Sequence, residues 1–167
     1  MGRILNKRSQ SGSDAIMAIA TIFGLAIFCL IMVYTYSQFM DAARSTEVLN
    51  QSEQAIDAME SVENIQNMWD YVILVIFIGF AISIMVLGYF IDVHSVFMPI
   101  FILVLLIGVI VAGVLAYTWD QVADATVFTA IKTSHFPITN NLMSNLEIYF
   151  IIIGVLAMVV TYAKTRG

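Results

Sequence analysis

The chain has 167 residues, of which 60% are hydrophobic and only 11% are charged. A soluble domain is about 45–50% apolar, so this composition predicts an integral membrane protein. The net charge of −5 argues against a nucleic-acid partner, because neutralising phosphates requires a basic surface. The single cysteine, Cys29, excludes an intramolecular disulfide.

Residues 1–14 are polar and basic, and their serines predict a flexible segment. Ser13 or Asp14 is expected to cap the helix that follows, because both side chains accept hydrogen bonds from free backbone N–H groups. Residues 15–36 form the first apolar run. This run is longer than the core of a signal peptide, so we interpret it as a retained membrane anchor.

An acidic segment follows at residues 37–70. It contains no glycine or proline, and its apolar residues recur at helical spacing, which predicts two helical arms that continue the neighbouring spans. With a turn near residues 50–52, the arms would form an extramembrane helical hairpin. The acidic face is either simply solvated or a surface for protein partners or cations. The candidate partner contacts are Glu47, Glu53, Asp57, Glu60 and Glu63.

Three further apolar runs cover residues 71–91, 98–117 and 146–163. At about 1.5 Å per residue, each run is about 30 Å long, which is the thickness of the hydrocarbon core of a bilayer. Only a helix satisfies every backbone group of such a run inside lipid. We therefore predict an all-α fold, a polytopic transmembrane helical bundle of four spans, in which the short link 92–97 joins spans two and three.

Two sets of side chains have expected roles within this bundle. Aromatic rings prefer the membrane interface, so the expected interface anchors are Trp69, Tyr71 and Trp119. Small residues four apart let helices approach closely, and Gly79 with Ser83 would form a notch facing a stripe on the third span. The expected helix-packing residues are Ala20, Gly24, Gly79, Ser83, Gly108, Ala112 and Ala116.

Residues 118–145 are mixed in character. Residues 121–132 predict a short interfacial helix, and residues 133–141 predict a turn around Pro137. Ser134 and Thr139 are available as caps in this turn. The tail at residues 164–167 is basic.

The distribution of basic residues predicts the orientation. With four spans, both chain ends and the link 92–97 fall on one side of the membrane. That side holds five of the seven Lys and Arg residues, although its segments are much shorter. The positive-inside rule then predicts that both termini lie in the cytoplasm or its topological equivalent.

No catalytic, cofactor or metal site is predicted. The hydrocarbon portions of the spans contain no ionisable residue, which disfavours coupled ion transport. Asp92 and His94 are expected on the opposite side of the membrane from His135, so the two histidines could not share a metal within one chain. The chain has no zinc-protease motif, paired cysteines, phosphate loop or nucleophile elbow, and we expect a protein that is not an enzyme.

The basic ends, the acidic arm and the sequence Phe-Pro-Ile-Thr-Asn at residues 136–140 before the last span give the chain a recognisable layout. This layout resembles the small membrane proteins of icosahedral phages that carry an internal lipid bilayer beneath the capsid. The resemblance implies a structural role in a virion membrane, with contacts to capsid or neighbouring membrane proteins in homo- or hetero-oligomers. Two alternatives remain open, namely a holin-like or channel-forming oligomer and an accessory subunit of a larger membrane complex.

Overall fold

The computed structural model describes residues 2–45, 53–90 and 98–165, and these residues are helical apart from short connections. Four helices are long and two are short. The long helices are α1 (Gly2–Arg44), α2 (Glu53–Phe90), α3 (Met98–Ala123) and α6 (Leu146–Thr165), and the short ones are α4 (Thr129–Ser134) and α5 (Pro137–Ser144).

Each long helix contains a segment long and apolar enough to cross a membrane. Many large apolar side chains along these segments are exposed, as contact with acyl chains requires. The prediction of an all-helical chain with four such helices is therefore confirmed. The candidate spans are Ile16–Arg44, Ile56–Val86, Pro99–Ala123 and Leu146–Ala163.

The two ends of α1 compare differently with the prediction. The predicted helix start at Ser13 or Asp14 is wrong, because α1 already begins at Gly2. The segment before Ser13 has no proline, and a single glycine inside a helix costs only about 1 kcal/mol. At its other end α1 continues past residue 36 to Arg44, and α2 begins at Glu53, so acidic residues continue both apolar runs as helix. The predicted turn at residues 50–52 lies outside the described residues.

The long helices pack in a particular order. α1 packs against α2 and α3, and α6 packs against the same two helices. Among the described residues, α2 and α3 are not a closely packed pair, although they follow each other in the chain. The buried core that these helices share has Leu30, Ile73, Trp119, Phe136 and Met143 at its centre.

The segment between α3 and α6 differs from the prediction. The expected helix at residues 121–132 is interrupted after Ala123, where Ala125 and Phe128 donate their N–H groups to nearby carbonyls in tight turns. The expected turn at residues 133–141 is largely the helix α5. Pro137 occupies the first turn of α5, where its missing N–H costs little. Ser134 caps no helix, since its hydroxyl donates to the Ala130 carbonyl.

Candidate functional site: a polar junction at one end of the spans

Most side-chain hydrogen bonds between different helices are concentrated around α5. α5 packs against both α2 and α3, and it lies directly before α6. The side chains and backbone groups that hold it come from all three of these long helices. We call this set the polar junction, and it consists of Asp70, Trp119, Asp120, Thr139, Asn140, Asn141, Ser144 and Tyr149.

Asp70 caps α5 from a distant part of the chain. It lies where the acidic part of α2 meets the apolar run, and it is only 3% exposed. Its two carboxylate oxygens accept hydrogen bonds from the N–H groups of Ile138, at 3.0 Å, and Thr139, at 2.6 Å. Because Pro137 has no N–H, these are the first two donors of α5. The residue at the N-cap position, Phe136, contributes no side-chain hydrogen bond. Asp70 therefore replaces the missing local cap, and its negative charge suits the positive end of the helix dipole.

A second set of hydrogen bonds holds α5 against α3. The Ser144 hydroxyl, in the last turn of α5, donates to Asp120 Oδ1 at 2.6 Å. The neighbouring Trp119 donates its indole N–H to Asn140 Oδ1 at 3.1 Å. A hydrogen bond to a carboxylate is stronger than one between neutral groups, so the contact between Ser144 and Asp120 is the stronger of the two.

The aromatic residues divide between the junction and the surface. Trp119 is 0% exposed, so its expected role as an interface anchor is wrong. A buried indole needs a partner for its N–H, and Asn140 supplies one. Tyr71 is 62% exposed and Trp69 is half-buried, both at the start of the apolar run of α2. Their positions agree with contact at a membrane interface.

Tyr149 connects α5 and α6 to α2. Its hydroxyl donates to Asn141 Oδ1 at 3.0 Å. Its ring meets Phe77 of α2 edge to face, with centroids 6.1 Å apart. A similar pair, Tyr34 and Phe128, joins α1 to the connection before α4 at 5.3 Å. Such pairs contribute about 0.5–1.5 kcal/mol beyond the burial of their area.

Two buried polar atoms near α5 have no hydrogen-bond partner among the described residues: Thr139 Oγ1 and Glu147 Oε2. Thr139 is 1% exposed, and only its backbone N–H is paired, with Asp70. Glu147 lies in the first turn of α6, where the helix dipole favours a negative charge.

The side chains of the polar junction hold α5 in place through hydrogen bonds. Its carboxylates accept hydrogen bonds from backbone N–H groups and a hydroxyl, and its amides accept from an indole and a phenol. The part of the chain that the structure describes contains no group of three or more His, Cys, Asp or Glu arranged to hold a metal ion. Asp92 and His94 lie outside the described residues.

The expected helix-packing residues fall into two groups. Ala112 and Ala116 of α3 are buried, and Gly108 lies against Phe150 of α6. Gly154 of α6 lies against Leu105 of α3 in the same interface, a contact that the sequence analysis did not identify. The other four are exposed within this chain, and the expected notch does not receive another helix of the chain, because a β-carbon at Gly79 would have no neighbour within 4 Å. These four are Ala20, Gly24, Gly79 and Ser83.

The expected partner contacts lie on the acidic part of α2. Asp57, Glu60 and Glu63 are exposed, Glu53 begins the helix, and Glu47 lies outside the described residues. Glu63 approaches Arg44 of α1 at 3.7 Å. The Tyr36 hydroxyl of α1 donates to the Met59 carbonyl of α2 at 3.3 Å. The two helices therefore remain in contact beyond residue 36 of α1.

Comparison of the chain with models of protein families, with curated proteins and with solved structures found no match.

Proposed function

We propose that the protein is a structural or assembly component of a membrane, without enzymatic activity. In this proposal the four long helices form a transmembrane bundle, and the helical segments beyond the apolar runs form a hairpin that contacts partner proteins. The observation that carries the proposal is the uninterrupted helix from Glu53 into the apolar run of α2. At about 1.5 Å per residue, residues 53–70 extend about 27 Å, which is enough to reach a protein beyond the headgroups.

The two faces of this extension differ in what they contact. The extension meets α1 where the Met59 carbonyl accepts a hydrogen bond from the Tyr36 hydroxyl and where Glu63 approaches Arg44. Asp57 and Glu60, three residues apart, are exposed and lie next to each other on the helix surface. This acidic face favours a partner with a basic surface, because opposite charges steer association and fix the register of contact.

Several other polar groups near this end form hydrogen bonds within the chain. Asp70 and Asp120 hold α5, and Asn140 and Asn141 accept hydrogen bonds from Trp119 and Tyr149. Hydroxyls in the spans also bond within their own helices, as Thr21 does to Met17 and Ser83 to Gly79. This usage supports a role in holding and contacting proteins.

Two finer parts of the proposal rest on sequence alone. The excess of basic residues at the chain ends supports termini on the cytoplasmic side or its equivalent. The layout resemblance to membrane-containing phages supports the most specific version, a virion membrane component that contacts capsid or neighbouring membrane proteins. Many copies would then populate the bilayer as homo- or hetero-oligomers.

Two double variants that change the net charge by the same amount test the proposed contact face. Asp57→Asn with Glu60→Gln removes two negative charges from the acidic face. The matched control, Gln121→Lys with Thr126→Lys, adds two positive charges at exposed positions in the last turn of α3 and in the connection that follows it. Native membranes are extracted in mild detergent, and proteins that copurify with each full-length variant are quantified by mass spectrometry. We expect the wild type and the control to retain a partner at a fixed ratio, and the acidic-face variant to lose it.

Equal partner retention by both variants would contradict the contact face, and the absence of any partner at a fixed ratio would contradict the assembly role. The virion version is checked by density-gradient fractionation of membrane-bearing particles. Co-migration of many copies with capsid protein and lipid is the expected result. Recovery from cell membranes alone would rule that version out, and ion flux from the purified protein in liposomes would then favour the channel alternative.

A further inference from the structure

The apolar segment of α2 is longer than a membrane requires. The segment that could cross a membrane, Ile56–Val86, has 31 residues. At about 1.5 Å per residue it is about 46 Å long, whereas the hydrocarbon core of a bilayer is about 30 Å thick. The acids Asp57, Glu60 and Glu63 lie in its first third, so this end is the part that extends beyond the core. Apolar side chains at this end therefore face water or headgroups unless another protein covers them.

Exposed apolar side chains at this end belong to a line that continues into the membrane. Val62 is 37% exposed and Ile65 is 54% exposed. From Ala58 to Val86, apolar or small residues recur on this line at alternating intervals of four and three residues. This is the heptad spacing of positions a and d in a left-handed coiled coil, and it is sustained over four heptads. We call these nine positions the heptad stripe: Ala58, Val62, Ile65, Trp69, Val72, Ile76, Gly79, Ser83 and Val86.

The heptad stripe is left open by the packing of this chain. The side of α2 that packs against the other helices carries Gln66, Ile73 and Phe77, which are buried and lie at other positions of the heptad. Of the nine stripe residues, only Trp69 is half-buried, and the other eight are exposed. A β-carbon at Gly79 would meet nothing within 4 Å. α2 therefore has one face without a partner in this chain, both beyond the hydrocarbon core and inside it.

The acids of α2 avoid this face. With the stripe residues at positions a and d, the five acids of α2 fall at positions b, c and f, and α2 contains no Lys, Arg or His. Positions e and g, which border a coiled-coil interface, are therefore uncharged. Two copies of this acidic helix can thus meet at the stripe without like charges facing each other. The five acids are Glu53, Asp57, Glu60, Glu63 and Asp70.

The position of the stripe determines which partner fits it. Because the stripe crosses the membrane boundary, its partner must present apolar surface on both sides of that boundary at matching depths. A soluble protein reaches only the first few positions, and lipid covers only the later ones. A second copy of α2, related by a two-fold axis along the membrane normal, brings each stripe residue to its own counterpart at the same depth. Gly79 and Ser83 then form a layer of small residues that lets the two helices approach closely inside the membrane.

We propose that the heptad stripe is a self-association surface, through which two copies of this chain pair in parallel along α2. The inference rests on one part of the proposed function, the passage of α2 through a membrane, and it assigns the surface that joins the copies. Asp57 and Glu60 lie at positions c and f, which point away from a coiled-coil interface. The acidic face of the dimer therefore remains free for a different partner.

Disulfide formation between single cysteines tests this surface in the full-length protein. Ile65→Cys places a thiol on the stripe. The matched control, Ile56→Cys, changes the same residue type at an exposed position b of the same helix. Both variants carry Cys29→Ala and are oxidised in native membranes at low expression, so that random collisions contribute little. We expect at least about tenfold more disulfide-linked dimer from Ile65→Cys, because cysteines whose Cα atoms are more than about 7 Å apart cannot be bridged.

A second measurement tests the part of the stripe inside the membrane without cysteines. Gly79→Leu has room within one chain, but its side chain would hold two copies of α2 apart. Gly24→Leu is the control, because Gly24 of α1 also has no neighbour within 4 Å. Energy transfer between labelled full-length chains in lipid vesicles gives the dissociation constant of the dimer. We expect Gly79→Leu to raise this constant at least about tenfold, and Gly24→Leu to leave it unchanged.

Equal crosslinking of the two cysteine variants would overturn the proposal, as would a crosslinked product whose mass is not twice that of the chain. An unchanged dissociation constant in Gly79→Leu would also overturn it. Release of the protein from membranes by alkaline carbonate would contradict both the passage of α2 through a membrane and the paired stripe. Retention in membranes without crosslinking of Ile65→Cys would overturn the self-association surface alone.

Discussion

The Asp70 carboxylate and the Thr139 N–H lie 69 positions apart in the chain and 2.6 Å apart in space. This hydrogen bond joins the start of the second apolar run, in α2, to the first turn of α5, the short helix that precedes the fourth apolar run. The helix has no capping side chain of its own. Its stability is therefore coupled to the position of α2.

We expect Asp70→Ala to lower the free energy of unfolding by about 1–3 kcal/mol, because the backbone N–H groups of Ile138 and Thr139 lose their acceptor. Reversible unfolding in mixed detergent, followed by circular dichroism, measures the change. Asp57→Ala is the control, since that carboxylate is exposed on the same helix. A change of the same size in both variants would contradict the capping role.

Four glycines make a graded test of the helix interface. A β-carbon at Gly108 would overlap the Phe150 ring, whereas Gly24 and Gly79 have no neighbour within 4 Å. We expect Gly108→Ala to destabilise the protein by about 1–3 kcal/mol, because the ring must move in a packed interface. Gly24→Ala and Gly79→Ala are expected to remain within about 1 kcal/mol of the wild type.

Gly154→Ala is expected to give an intermediate cost, because its new methyl group would meet the flexible end of Leu105. Thermal denaturation in one detergent allows the four variants to be ranked. Equal stability of Gly108→Ala and Gly79→Ala would show that α3 and α6 do not pack as described. A large loss in Gly24→Ala would instead indicate that this exposed face contacts another protein.

The two tryptophans are expected to differ in fluorescence. Trp119 is fully buried, whereas Trp69 is half-buried just before the start of the apolar run of α2. Trp69→Phe leaves only Trp119, and we expect blue-shifted emission with weak quenching by acrylamide. Trp119→Phe leaves Trp69, which should be quenched more strongly. The reverse order of quenching would place the indole of Trp119 at the surface.

Arg44 and Glu63 provide a prediction of little effect. Their side chains are 58% and 51% exposed and the charged atoms are 3.7 Å apart, so water screens their attraction. We expect Arg44→Ala to change the free energy of unfolding by only about 0–1 kcal/mol. Chemical denaturation at low and high salt measures it. A loss as large as that expected for Asp70→Ala would mean that this ion pair holds the two helices together.

The long helices could be predicted from sequence because the constraint on them is local. Each run must satisfy its own backbone in lipid, so length and hydropathy are sufficient. The predictions at Ser13 and in residues 121–132 also relied on local preferences, and both were wrong. A residue that favours a cap did not start the first helix, and residues that favour helix did not keep residues 121–132 in one helix. Local preferences of this kind amount to about 1 kcal/mol or less per residue, so they do not decide where a helix begins or ends.

The polar junction could not be predicted in the same way, because each of its bonds joins separate helices. Asp70 resembled the other acids of the segment at residues 37–70, and nothing within that segment distinguishes a capping carboxylate from a solvated one. One signal was present: Pro137 follows Phe136, so a helix starting there lacks a local cap. An acid at the boundary of an apolar run was a candidate to supply it. Trp119 was misplaced because burial of an indole depends on neighbours from other helices.

The distance in sequence between Asp70 and α5 also has a consequence during synthesis. A ribosome adds about 5–20 residues per second, so the 68 positions that separate Asp70 from Ile138 correspond to about 3–14 s of translation. Throughout that interval water is the available partner for the carboxylate, which resists entry into lipid. We therefore expect this charge to limit how deeply the nascent α2 enters the bilayer before its final partner has been synthesised.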